Sequence, residues 1–434
     1  MIPRPAPSPP SPSALADSGL VPVDPAEVGL PPYYAATGLY RYDRPVGTVV
    51  EAARTLAGLE HRLGTRPTTV FTRLTDRPGS RVLGHPYPRA VLLAALDTAE
   101  GAHLPELAAR LSGEPFRVRA DAAPEAAAGA TGAPARRELD GLHALPVLQH
   151  RPGDGGRYVT AGIGVTTRPD GSAVNLGFYC VQVVSAYRAR IFLDPRTDAH
   201  RNLLEWRAVG RPMPISVFLG ADPSYAVVAA TRLPATGDDY QIASRLLRAD
   251  VRVGGAPPVP ADATHVLTGL VGHASETEGP FGEFKGYYVE ERQGNVLDIT
   301  GVAARPGAPF PSIVAGAESG LTLMSFQNEY LLYAHLRAQG HPVTDVRYSV
   351  RARGEFVALI ETERPSLELV CEAMKFDVRS KLVICGPELG DVPQALATYG
   401  FIAHHEPYYR KGRTEGERIG LALVIPPVGR PVEY

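Results

Sequence analysis

From residue 145 to about 300 the chain reads as one short strand after another, and this stretch constrains the fold most. Runs of apolar and β-branched residues at 158–167, 175–184, 215–219 and 265–270 are each bounded by Gly, Pro or Asp turns. Residues 240–247 interrupt them with a short helical signal. The flanks differ. Residues 49–63 show helical periodicity, with Val50, Ala53, Leu56, Ala57 and Leu63 on one side. Short strands are expected at 68–72 and 81–84, and helices at 89–98 and 104–111. After residue 309 strands at 344–348, 356–361 and 381–385 alternate with helices at 327–339, 367–376 and 392–399, the rhythm of a small α/β domain.

The expected architecture is therefore multidomain, mixing α+β and α/β character. Residues 1–33 form a Pro-rich disordered tail, 34–144 an N-terminal α/β domain, 145–304 a central β domain and 305–434 a C-terminal α/β domain. An Ala/Gly/Pro-rich stretch at 120–135 reads as a linker or insertion.

Composition removes several function classes. The net charge of -2 gives no electrostatic case for nucleic acid or an acidic membrane surface. No apolar run is long enough to cross a bilayer, and the Pro- and Ser-rich start lacks the apolar core of a secretory signal. Three cysteines, Cys180, Cys371 and Cys385, fit neither a disulfide framework nor a zinc knuckle, so a reducing cytoplasm is expected. No phosphate-cradling Gly loop, Rossmann fingerprint or Ser nucleophile elbow is present. His404-His-Glu406 looks like a metal cluster, but adjacent histidines diverge on a strand or a helix, which favours a polar loop. The pairs Tyr33-Tyr34, Tyr287-Tyr288 and Tyr408-Tyr409 read as core or interface.

One short segment carries the chemistry. Glu278-Gly-Pro-Phe-Gly-Glu283 places two carboxylates five residues apart on a loop stiffened by Pro280 and loosened by Gly279 and Gly282. Such a loop can aim both acids into one pocket, where mutual repulsion raises one pKa and creates an acid or base for neutral pH. By spacing alone the segment is equally a surface turn with two solvated acids.

Four ordered segments set that loop in a context that resembles the UbiD family of decarboxylases from about residue 35 onward. They are Asp154-Gly-Gly-Arg-Tyr-Val-Thr160, Gly210-Arg-Pro-Met-Pro-Ile-Ser-Val-Phe-Leu-Gly-Ala-Asp-Pro223, Val259-Pro-Ala-Asp262 continuing to Gly269, and the acid loop with Gly286-Tyr-Tyr288. The resemblance implies a central split β-barrel like that of flavin reductases, flanking α/β domains and a homodimer through the C-terminal domain. It implies prenylated FMN as cofactor and reversible decarboxylation of a small aromatic or α,β-unsaturated acid. Glu283 takes the place of the proton-donating glutamate and Glu278 that of its partner. Thr160 lines the flavin, Asn175 serves the metal at the flavin phosphate, and Lys381 reaches that phosphate.

The departures are as specific as the matches. Cys180 stands where the family has its catalytic arginine. It reads as a small buried apolar residue or as a reactive thiol. Arg157, Arg188, Arg190 or Arg232 could bring a replacement charge from elsewhere. Arg196, with His200 four residues on, stands near the metal-binding histidine position, and Arg252 takes that of the metal-binding glutamate. Two unit charges about 4 Å apart interact by roughly 4 kcal/mol at an effective dielectric near 20, and a divalent cation beside an arginine feels about twice that as repulsion. No metal is therefore expected. The two arginines either grip a phosphate directly or face solvent around a decayed site. Three readings follow: a divergent lyase, a cofactor-independent enzyme using Glu278, Glu283 and Cys180, or a non-catalytic partner subunit.

Overall fold

The computed structural model describes residues 11–63, 66–121, 135–231, 238–284, 286–390, 392–410 and 413–424. The chain divides into two compact units, Pro7–Asp97 with Gly113–Leu323, and Thr98–Ser112 with Met324–Tyr434.

The larger unit is built on an antiparallel sheet of nine strands. Its main path runs Tyr158–Val159, Val181–Val183, Arg188–Ile191, Arg292–Ala304, His265–Glu278, Met213–Leu219, Ile163–Thr166, Asn175–Phe178, with Arg137–Glu138 added beside Arg292–Ala304. Chain length dictates its shape. In a flat sheet Tyr158–Val159 and Ile163–Thr166 would stand six strand spacings apart, about 29 Å at ~4.8 Å each. The four steps from Val159 to Ile163 span at most about 14 Å. The sheet must curl back on itself, and it forms a curled half-barrel. Residues 160–162 and 179–180 are the two crossings, so Thr160 and Cys180 both lie where the edges approach. The face enclosed by the curl is apolar, with Val181, Ala189, Ile191, Ile215, Val217 and Leu267 almost fully buried.

A second, mixed sheet in the same unit runs Leu20–Pro22, Leu39–Tyr42, Thr68–Phe71, Val82–Gly84, Phe310–Ser312. Helix Glu51–Leu63 lays Ala52, Ala53, Leu56 and Leu59 against it. It begins one residue after Val50, whose φ of 63° lies in the left-handed region and cannot continue into the helix. A small third sheet joins Val118–Asp121, Val251–Gly254 and Val259–Pro260.

Two expectations change. Residues 11–33 are folded rather than a loose tail. Ser11 caps helix Pro12–Asp17, Leu20–Pro22 pairs with Leu39–Tyr42, and Leu20 and Val28 are buried. A few spaced apolar anchors suffice here, and the proline-rich composition hid them; residues 1–10 and most of the expected linker lie outside the described residues. Nor does the chain divide at 144/145 or at 304/305. Strand Phe310–Ser312 returns to pair in parallel with Val82–Gly84, while helix His103–Ser112 belongs to the smaller unit.

The smaller unit contains a sheet ordered Val343–Tyr348, Val357–Thr362, Leu382–Gly386, Arg413–Val424, Gly400–Arg410, with three parallel central strands and antiparallel edges. Ile384, Leu389, Ala395 and Leu423 form its packed core beside helices Leu367–Phe376 and Val392–Thr398.

Candidate active site

The long hairpin of the half-barrel ends where the acid loop begins. Glu278 closes strand His265–Glu278 and stands directly opposite Arg292, the first residue of the partner strand. Glu278 is almost wholly buried, and the Arg292 Nε donates to its Oε2 at 2.7 Å. The guanidinium lies 3.6 Å from the centre of the Phe192 ring. Burying a carboxylate costs several kcal/mol unless a partner sits on it in good geometry, and Arg292 is that partner.

The loop is fastened from below by the turn 151–155. Gly155 N donates to Pro280 O at 2.7 Å and Gly282 N to Asp154 Oδ1 at 3.0 Å. Arg151 N donates to the other Asp154 oxygen at 2.7 Å, while its Nη1 donates to Gly282 O at 3.1 Å. A Cβ on Gly155 would lie 2.1 Å from Gly279 O, so only glycine permits this approach. Gly279 itself has φ 101°. Phe281 packs at 4.4 Å on Tyr158, and strand Phe281–Gly282 pairs with Tyr288–Val289. Glu283 follows, its N–H donating to Tyr287 O at 2.9 Å. The loop is thus held on both sides of the turn, and Glu283 is presented at its end.

Cys180 shares this neighbourhood. Burial pushes its thiol up to about 12, with Glu278 adding to the rise, Arg292 opposing it, and Asp154 and Glu283 also felt. That shift favours the thiol over the thiolate that a nucleophile needs, and sets a small polarisable side chain beside the acids. Of the arginines expected to replace the missing charge, Arg188 and Arg190 both bind Glu276, at 2.6 and 2.9 Å, and Arg157 binds Asp76 at 3.2 Å. Arg232 lies outside the described residues. Arg292 was not among those expected. Its signal was available: pairing the strands outward from the turn after Glu278 puts the two residues face to face.

The residues expected around a cofactor have protein partners of their own. Thr160 Oγ1 accepts from Ile313 N at 3.1 Å and lies 3.4 Å from Ser312 Oγ, which in turn meets His150 Nε2 at 3.0 Å. Asn175 Nδ2 donates to Asp239 Oδ2 at 3.4 Å, and Leu176 N donates to the same oxygen at 2.7 Å. Burial lifts the Asp239 carboxyl to about 7. The Asn175 Oδ1 is buried without a protein partner. Arg196 is exposed and folded onto its neighbour Asp194 through Nε and Nη2, at 2.9 and 2.7 Å. Arg252 sits in the separate three-stranded sheet, opposite Arg119. Arg196 thus pairs with Asp194, while Arg252 lies in a different sheet. Lys381 belongs to the smaller unit, its ammonium 4.7 and 5.2 Å from the ring centres of Phe356 and Tyr408.

These facts test the fit of a flavin. The Asn175 corner offers acceptors, a carboxylate and an amide oxygen, which suit a cation and not a phosphate in direct contact. The Tyr179 side chain lies against Gly164 and Gly177, where a Cβ would meet its ring at 2.6 Å and its hydroxyl at 2.8 Å respectively. Among the described residues no three His, Cys, Asp or Glu side chains gather to hold a metal, and His404 and His405 pair with separate glutamates, Glu406 and Glu417. The described residues fit the acid end of such a site and not its phosphate end.

Residues 129–318 match the family model described as the UbiD 3-octaprenyl-4-hydroxybenzoate carboxy-lyase Rift-related domain, a span that contains the hairpin and the acid loop. Residues 129–318 thus carry a UbiD-type domain. An uncharacterised protein of Aquifex aeolicus (strain VF5) is 26% identical over 181 residues, 40% of this chain and 37% of that protein, so the chain spans little more than a third of that curated relative. Among solved structures, an evolved dimeric form of the UbiD-class enzyme HmfF from Pelotomaculum thermopropionicum, in complex with prFMN, superposes with a TM-score of 0.78 at 22% identity, over 91% of this chain and 93% of that one. The 3,4-dihydroxybenzoic acid decarboxylase AroY of Klebsiella pneumoniae gives 0.76 at 17%, over 88% and 90%. The vanillic acid decarboxylase of Sedimentibacter hydroxybenzoicus in its open form gives 0.77 at 20%, over 91% and 92%. The UbiD fold is thus carried through both units.

Proposed function

We propose that this protein is a member of the UbiD family and a carboxy-lyase acting on a small aromatic or α,β-unsaturated acid. The observation that carries the reading is the buried Glu278–Arg292 pair beside Glu283, on a loop fastened at both ends. Loss of CO2 breaks a C–C bond and leaves a carbon that must take a proton. Glu283 delivers that proton as general acid, and Glu278, fixed by Arg292, is its partner. In the reverse direction the same carboxylate removes the proton. The decarboxylases among the solved relatives support this chemistry, and the dimeric HmfF form supports a homodimer. Relatives that bind prFMN or FMN support a flavin here as well. Asn175 and Asp239 do not suit direct contact with its phosphate, and the proton transfer rests on the chain's own carboxylates. Few cysteines and no paired spacing support a cytoplasmic setting.

The same misfit favours a second reading, a cofactor-independent acid–base enzyme on the same pair. One experiment separates them. Protein produced alongside a prenyl-flavin synthase is examined by absorbance, intact mass and turnover of a panel of unsaturated and aromatic acids. Flavin absorbance with turnover lost in Glu283→Gln supports the lyase with cofactor. Turnover in colourless protein, again lost in Glu283→Gln, supports the second reading. Turnover unaffected by Glu283→Gln removes both.

A further inference from the structure

The long hairpin has a second end. Opposite the acid pair, just before His265 and just after Ala304, a cavity of about 280 Å³ opens in the larger unit. It is lined by Tyr33, Tyr34, Tyr87, Asp262, Thr264 and Arg305, with leucine and proline between them. None of its lining residues belongs to the acid loop or to the turn that fastens it.

The polar groups of this cavity are unevenly committed. Arg305 is anchored by its backbone N–H to Thr264 O at 2.8 Å and by Nη2 to Ala261 O at 3.0 Å. Its Nε is buried without a partner, and it makes no ion pair with a described residue. Tyr34 is fixed as a wall by its hydroxyl, which donates to Pro86 O at 2.9 Å, and its ring lies 5.3 Å from that of Tyr33. The hydroxyls of Tyr33 and Tyr87 form no hydrogen bond with another described residue. The acids, by contrast, are engaged: Asp262 Oδ2 accepts from Asp222 N at 2.7 Å, and Asp222 Oδ1 accepts from Ser224 N at 2.9 Å. Burial also raises both carboxyls, Asp222 to about 6, against the pull of Arg305 and Arg136 on Asp262. What remains for a ligand is a guanidinium fork and two phenol donors among flat rings.

We propose that this cavity binds a small planar carboxylate, its anion on Arg305 and the Tyr33 and Tyr87 hydroxyls, its flat body between the tyrosine rings. A guanidinium matches a carboxylate with two parallel bonds, and phenol donors add to the same oxygens. The volume lies just below the roughly 300–1,000 Å³ usual for ligand pockets, which restricts the occupant to about one ring. The site stands apart from the acid pair and does not depend on the lyase reading.

The test uses the full chain and benzoate as probe, with binding followed by calorimetry and ligand-observed NMR. Benzoate binds the native protein. Arg305→Gln weakens it about tenfold or more, as loss of a charge-assisted pair requires. The double variant Tyr33→Phe with Tyr87→Phe, which keeps both rings, weakens it several-fold, and Glu283→Gln leaves this binding in place. Benzylamine, of the same shape and opposite charge, does not compete. Circular dichroism verifies the fold, and if Arg305→Gln fails to fold the tyrosine pair decides. Absence of benzoate binding, binding untouched in folded Arg305→Gln and in the tyrosine pair, binding lost in Glu283→Gln, or preference for benzylamine would each overturn the proposal.

Discussion

At the scale of single residues, the site turns on Arg292 and Gly155. Arg292 is the cation on a carboxylate that has almost no solvent of its own. Arg292→Ala leaves that charge buried and unpaired. The expected loss is about 3 kcal/mol, at the low end for a buried pair because the arginine is 36% exposed. Chemical denaturation measures it; a change within error means that Glu278 is stabilised by something else. Gly155→Ala tests the loop contact more directly. Its methyl must displace Gly279, so a stability loss of roughly 1–3 kcal/mol and a fall in turnover are expected together. Neither residue stands out in the sequence. Arg292 sits among ordinary charged residues, and what marks it is the residue across the strand pair, a relation that exists only once the register is known.

At the scale of elements, the acid loop is positioned by a turn more than a hundred residues earlier in the chain. Asp154 accepts one amide from its own turn and one from Gly282, tying the two together. Asp154→Ala breaks both bonds at a cost of about 1–3 kcal/mol. Turnover should fall by more than the loss of folded protein explains, which activity per folded molecule measures; unchanged specific activity would mean that the loop holds its shape without the turn. This part of the site was half legible. The Asp154-Gly-Gly-Arg157 and Glu278–Glu283 segments were both visible as motifs, but spacing along the chain says nothing of which amide meets which carboxylate. The arginines failed for a related reason. Arg188 and Arg190 are aligned on one strand beside Glu276, and Arg196 has Asp194 two residues away. A nearby acid takes such a cation before any ligand can. Helix Glu51–Leu63 and strands Thr68–Phe71 and Val82–Gly84, by contrast, followed directly from periodicity, because local pattern decides them.

At the scale of the larger unit, buried histidines shape the response to acid. Burial lowers His150 and His265 to about 3 and His85 to about 4, from an ordinary 6.5. Their folded pKa lies below the unfolded value, so the unfolded chain binds more protons between about pH 3 and 6.5. Stability is therefore lost as pH falls through that window. Asp239 works the other way: raised from 3.8 to about 7, it weakens the fold as pH rises between those values. Denaturation at a series of pH values should show the acid limb flatten in His150→Gln and the neutral limb rise in Asp239→Asn. Unchanged limbs would mean that these groups titrate alike in both states.

The return of Phe310–Ser312 to the N-terminal sheet sets a clock on biosynthesis. That sheet lacks its last strand until residue 312 has been made, although Val82–Gly84, its partner, emerges much earlier. From residue 84 to residue 310 there are 226 further peptide bonds (310 − 84), about 11 to 45 s of elongation at roughly 5–20 residues per second. Throughout that interval the nascent chain carries an unfinished strand edge, the kind of surface that chaperones cover and that invites mispairing between neighbouring ribosomes on one message.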